Sequence, residues 1–220
     1  MSKPQEEKRE RVLDPVERVS EVVFGLLMAL AITGSLSVAS AGREEVRTMM
    51  FAALGCNVAW GLVDGIMYLV QTLTERTRAL SLLARLRATT STEAAHALIA
   101  DALPGQLGSE ADPQMLEALR QRLLALPSAA TPAKLGRDDY AGAFGVFLLV
   151  VLSTFPVVIP FAFIDTLALA LRVSHFVSVA MLFAGGWLLA QYSGGSRWKG
   201  GLALAAVGTA LASAIAALGG

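Results

Sequence analysis

The chain has one cysteine, two histidines and few aromatic residues (7%) among its 220 residues, and only 16% of them are charged. A single cysteine excludes an internal disulfide, a CxxC redox motif and a thiolate zinc cage. The low charged fraction, against roughly 25% in an ordinary soluble domain, combines with 55% hydrophobic residues and a mean hydropathy of +0.58 to exclude a soluble globular reading. Eighteen Lys and Arg balance eighteen Asp and Glu, so net charge points to no nucleic-acid partner. No strand pattern or internal repeat is evident. With no Ser/His pair, HExxH helix or nucleotide loop, an enzyme is not expected.

What the chain does have is five apolar blocks, at 20–41, 46–72, 140–164, 167–191 and 198–219. Each is long enough to cross a hydrocarbon core of about 30 Å at ~1.5 Å per residue. The expected fold is all-α: a polytopic membrane protein with five transmembrane helices and a short cytoplasmic helical segment between the second and third. Its parts are an N-terminal tail (1–19), a transmembrane hairpin of helices 1 and 2 (20–72), the cytoplasmic segment (73–138) and helices 3–5 (139–220). Pro156 and Pro160 should bend or break the third helix near its far end, because each removes a backbone donor.

Fifteen of the eighteen basic residues lie in the N-terminal tail, the 73–138 segment and the turn at Arg197 and Lys199. By the positive-inside rule this places the N-terminus in the cytoplasm and, with five spans, the C-terminus outside. A bacterial inner membrane suits the short loops. Ala39-Ser40-Ala41 has the small residues of a signal-peptide cleavage site, but Glu6, Glu7, Glu10, Asp14 and Glu17 precede it where a signal sequence is acid-poor. Within 73–138, a capping box at Thr90–Glu93 and the pair Asp112-Pro113 predict two helix starts. A third helix continues from the second span. Leu80, Leu83 and Leu86, with Leu116, Leu119 and Leu123, form stripes that should pack on one another rather than lie on the membrane.

Chemistry is expected where ionisable groups enter the bilayer, since they need a partner or a wet cavity there. Asn57, Gly61, Asp64, Tyr68 and Gln71 share one face of the second span. Glu21, Gly25, Met28 and Ser35 share one face of the first. A hairpin pivoting near residue 43 or 44 puts Glu21 and Asp64 within about 3 Å in depth, near the cytoplasmic mouth, with Met28 a turn deeper toward Asn57 and Trp60. Carboxylate and amide oxygens with a thioether form a transient site for a borderline divalent ion such as Fe²⁺ or Mn²⁺. Neighbouring acids disfavour double ionisation, so exchange of a proton for a cation is physically available. Other candidates are Glu93 and His96, spaced i, i+3 as a possible cytoplasmic metal site, and Asp165, Arg172 and His175, read as a structural ion pair. Cys56 reads as a small packing residue. Gly185, Gly186, Gly201, Gly208, Ala212 and Ala216 offer faces for close helix contact, within a subunit or between two.

The segments RVSEVVFGLLMALAITGSLSVASAG, GLVDGIMYLVQTLTER and FPVVIPFAF, in a five-span layout, resemble the vacuolar iron transporter (VIT) family. The resemblance implies a homodimeric carrier that moves Fe²⁺ or Mn²⁺ out of the cytoplasm in exchange for protons. No permanently bound cofactor is implied, and acidic and methionine residues of the first two spans form the path. Asp64 matches the acidic position of the second span. Where the family's Asn-Asp-Gly stands, this chain reads Phe24-Gly25-Leu26-Leu27-Met28, so Glu21 or Met28 would fill the first-span position. The alternative function is a non-transporting membrane scaffold or accessory subunit that presents the 73–138 segment.

Overall fold

The computed structural model describes residues 15–35, 42–103, 106–126 and 132–218. Among them are eight helices: α1 (Pro15–Gly34), α2 (Arg43–Ala88), α3 (Thr92–Ala102), α4 (Gln106–Ser109), α5 (Pro113–Ala125), α6 (Arg137–Phe163), α7 (Leu167–Tyr192) and α8 (Arg197–Ala217). The chain divides into two compact units, Met1–Tyr68 with Arg137–Gly220, and Leu69–Gly136.

Four helices, α2, α6, α7 and α8, are long and apolar enough to cross a membrane. This is the pattern of an integral membrane protein. The expected fifth, over 20–41, is not among them. Helix α1 begins earlier, at Pro15, and so adds Glu17 and Arg18 to Glu21, while 36–41 lies outside the described residues, as does the small-residue stretch Ala39-Ser40-Ala41. Helix α1 is nevertheless well packed in its second half. It packs on α6, α7 and α8, and Leu26, Ala29 and Leu30 are wholly buried against Val157 and Leu182. A helix shielded on several sides needs fewer apolar residues than one facing lipid.

The lipid-facing signature is clearest on α2. Leu62, Val63, Ile66, Met67 and Val70 are exposed, Ile66 at 60%, while Asn57, Gly61 and Gly65 are buried. Polar-in and apolar-out is the reverse of a water-soluble helix, and only an apolar solvent makes it stable.

Small residues set the helix spacings. A Cβ on Gly65 would lie 2.9 Å from Ala143 O and one on Gly61 3.1 Å from Phe147 O, so α2 lies directly on the α6 backbone. Gly185 meets Val23, Gly201 meets Phe183 and Gly208 meets Leu182, so these glycines serve contacts inside the subunit. Ala212 is packed on the α1 core, and Ala216 is exposed. Gly186 and Gly200 face each other where α7 crosses α8, and a Cβ on either would collide with the other's carbonyl oxygen. The turn between these helices needs Gly194 at φ 75°, which lets Gly195 N–H return to Ala190 O at 2.8 Å. Trp187 and Trp198 pack edge to face beside it, with centroids 4.8 Å apart.

Helix α6 runs unbroken through Pro156 and Pro160, so the expected break does not occur. It ends at Phe163, three residues past the second proline. Buried hydroxyls on these helices are satisfied by backbone carbonyls. Ser174 donates across to Val157 O at 2.7 Å, and Thr33 donates back to Ala29 O at 2.9 Å.

In the second unit, Leu86, Ala95, Ile99 and Leu116 form a core with Leu119 and Leu123 around it, so the leucine stripes meet one another. Helix α3 is capped by Ser91, whose Oγ accepts from Ala94 N–H at 3.3 Å. The cap is one residue beyond the expected Thr90. Asp112 caps α5 ahead of Pro113, where the sequence put it.

Gly186→Ala should destabilise the protein by about 1–3 kcal/mol, read as a melting temperature in detergent lowered by ~2–4 °C per kcal/mol. Gly55 has open space around it, and Gly55→Ala should leave the melting temperature unchanged or raise it, as expected for an exposed helical glycine.

Candidate functional site

Helices α1 and α2 pair antiparallel in a register fixed by two contacts. Phe24 meets the Trp60 ring edge to face at 5.9 Å, and Cys56 Sγ lies 3.5 Å from Met28 Sδ. A step of four along α1 is thus matched by a step of four back along α2. One turn further in, the same register sets Asp64 opposite Ser20 and Glu21, and the Glu21 and Asp64 carboxylates are close enough to interact electrostatically. The hairpin therefore brings the two acids to one level.

The polar face of α2 looks into this seam. Asn57 is wholly buried, its Nδ2 donating to Gly25 O at 3.3 Å on α1 and to Thr154 Oγ1 on α6. Gly25 permits this three-helix contact, because a Cβ there would lie 2.8 Å from Val150 O and would overlap Ser153 Oγ. Tyr68 lies on the far side of Asp64, its ring against Gly142 of α6. Gln71, expected on the same stripe, is exposed. Two acceptors on this face have no donor among the described residues, Asn57 Oδ1 and Asp64 Oδ2, and both atoms are buried. A buried acceptor left unmatched costs about 1–3 kcal/mol, more when charged, so these two oxygens are open to a donor or a cation.

Sequence reasoning placed Glu21, Met28, Asn57, Asp64 and Tyr68 along α1 and α2. It missed the α6 side, where Ser153 and Thr154 interrupt an apolar run, and it missed the role of Cys56 as the neighbour of Met28. Asp139, buried in the first turn of α6 and one turn before Gly142, was also passed over. Its place beside Tyr140 at the start of an apolar block was the available signal.

Two other expectations are corrected. Glu93 and His96 do not converge on a metal site. Glu93 accepts from Ser91 Oγ at 2.6 Å, whereas His96 Nε2 lies 3.0 Å from Glu117 Oε2 on α5. The i, i+3 spacing loses to a partner 21 residues away. Arg120 grips both Glu117 oxygens at 2.8 and 2.9 Å. Nor is His175 drawn into an ion pair with Asp165 and Arg172. Its Nε2 is buried with no hydrogen-bond partner, on the side of α7 that faces Gly34 and Ile215, while Arg172 points outward. Among the described residues no group of three or more His, Cys, Asp or Glu could hold a metal. At the other end of the hairpin, a cavity of about 500 Å³ is lined by Glu44, Arg47, Met50, Phe161 and Asp165.

No family model matches the sequence, and no curated protein matches it.

The hydrogen bonds that Arg120, His96 and Gln121 donate to Glu117 hold its carboxyl at about 2, against an ordinary 4.5. Because the folded value is depressed, this stabilisation is complete above pH 4.5 and fades as pH falls toward 2. Glu117→Gln should therefore melt below wild type at pH 6, with the gap closing steadily between pH 4.5 and 2. A gap independent of pH would contradict the assignment.

Proposed function

We propose that the protein is a secondary carrier of divalent metal cations of the Fe²⁺ or Mn²⁺ class, exchanging them for protons across the membrane. The reading rests on one observation: the seam between α1, α2 and α6 holds two buried acceptor oxygens with no donors, Asp64 Oδ2 and Asn57 Oδ1, and a second carboxylate, Glu21, level with Asp64. Hydrated from the mouth, the acid pair can hold either a proton or a cation between its charges, and each displaces the other. Tyr68 borders the pair. Asn57 and Met28 stand deeper, where an amide oxygen and a thioether replace water around a partly dehydrated ion.

In this proposal α1 is the fifth span, its charged first turn at the cytoplasmic surface. The N-terminus is then cytoplasmic, the C-terminus outside, and export follows the direction implied by the VIT resemblance. Glu44, Arg47 and Asp165 line the outer vestibule. A homodimer is part of the same proposal. The described residues hold no three-ligand cluster. A carrier is expected to hold its cargo weakly, but the same fact favours the second reading, a membrane scaffold without transport.

Reconstituted vesicles with a pH indicator inside separate the two. The carrier reading predicts metal-dependent proton counterflow. In Asp64→Asn that flux should fall by at least the 10–100-fold that loss of a mere outer-shell partner costs, with expression and assembly unchanged. No metal-dependent flux in wild type, and a thermal profile indifferent to metal, would favour the scaffold. Normal flux in Asp64→Asn would remove Asp64 from the path.

A further inference from the structure

The chain's one cysteine and a methionine of the neighbouring helix present their sulfurs to each other. Cys56 Sγ on α2 and Met28 Sδ on α1 are 3.5 Å apart, in the register that also packs Phe24 on Trp60. Both residues are half-buried. Asn57, the next residue after Cys56, is wholly buried and keeps Oδ1 without a donor among the described residues. We propose that Cys56 and Met28 form a binding site for a soft monovalent cation, Cu(I), with Ag(I) as its redox-inert analogue.

Two arguments choose this ion. Thiolate and thioether are soft donors, and that pairing selects Cu(I) over harder divalent ions. Charge then decides within the soft class. On binding, the thiol S–H bond breaks, the proton leaves to solvent, the sulfur's electron pair goes to Cu(I), and Met28 adds a lone pair without charge. One thiolate and one monovalent ion make a neutral complex, which a low-dielectric seam tolerates. Fe²⁺ or Mn²⁺ on the same two sulfurs would leave a net positive charge. The unbranched Met28 side chain can swing to open the sulfur spacing around the ion. This site shares Met28 with the proposed cation path but does not rest on the carrier reading, since it involves neither carboxylate.

The test is equilibrium titration of the untagged full chain in detergent with Cu(I), under reductant, against a chromophoric Cu(I) chelator. Wild type should take up one Cu(I) per chain. Cys56→Ser and Met28→Leu should each weaken binding by about 10–100-fold, while Met50→Leu, a methionine remote from the pair, should match wild type. Ag(I) should raise the melting temperature of wild type and leave that of Cys56→Ser unmoved, which also reports whether the variant is folded. X-ray absorption of the loaded protein should show two sulfur neighbours. Wild-type affinity in Cys56→Ser, or no Cu(I) retained by wild type, would overturn the proposal. No flux is measured, so a failure of transport leaves this result standing, and failure here leaves the carrier reading standing.

Discussion

Two acidic side chains held at one level between apolar helices are hard to accommodate, and much of the bundle is arranged around them. Glu21 and Asp64 interact across the α1–α2 seam, and Asp64 keeps one buried oxygen without a donor. In hydrocarbon such a pair is stable only with a proton, a cation or water between the charges. Among the described residues, Asp64 Oδ2 receives no hydrogen bond. Asn57 spends its amide N–H groups on Gly25 O and Thr154 Oγ1 and so turns an acceptor, not a donor, toward its surroundings. Gly25, Gly61 and Gly65 let three helices close around this strip at backbone distance.

The same constraint fits the layout of α1, which carries charge in its opening turns and packs on three other helices. Its acids sit in the opening turns, and its wholly buried Leu26 and Leu30 lie beyond them. Helix α2 shows the complementary design, with a polar inner strip and an outer face of Leu62, Val63, Ile66 and Val70. The second unit uses ordinary aqueous chemistry. Glu117 is paired near the surface with Arg120 and His96, and Leu86 and Leu116 are inside.

Long apolar runs were the most legible part of the sequence. The blocks at 140–164, 167–191 and 198–219 come within a few residues of α6, α7 and α8, because charged or glycine-bearing turns bound each run. The first block was misjudged at its start, since a helix shielded by neighbours can take up Glu17 and Arg18, which hydropathy excludes. The level of Glu21 with Asp64 could be estimated from the short turn alone. What packs against it could not: Thr154 is 97 residues from Asn57, and nothing local says which helix closes the seam. His96 misled for the same reason, its partner being on another helix rather than one turn away. Pro156 and Pro160 do not break α6, because a helix held on several sides can lose two backbone bonds and continue.

The central claim is the meeting of the two acids, and proximity cross-linking tests it without any transport assay. In a Cys56→Ser background, Glu21→Cys and Asp64→Cys introduced together should join within one chain through a short bifunctional maleimide, giving a faster-migrating monomer that protease cleavage between the two positions leaves linked. If each new thiol labels singly but no intrachain link forms, the two helices do not bring their acids together and the account fails.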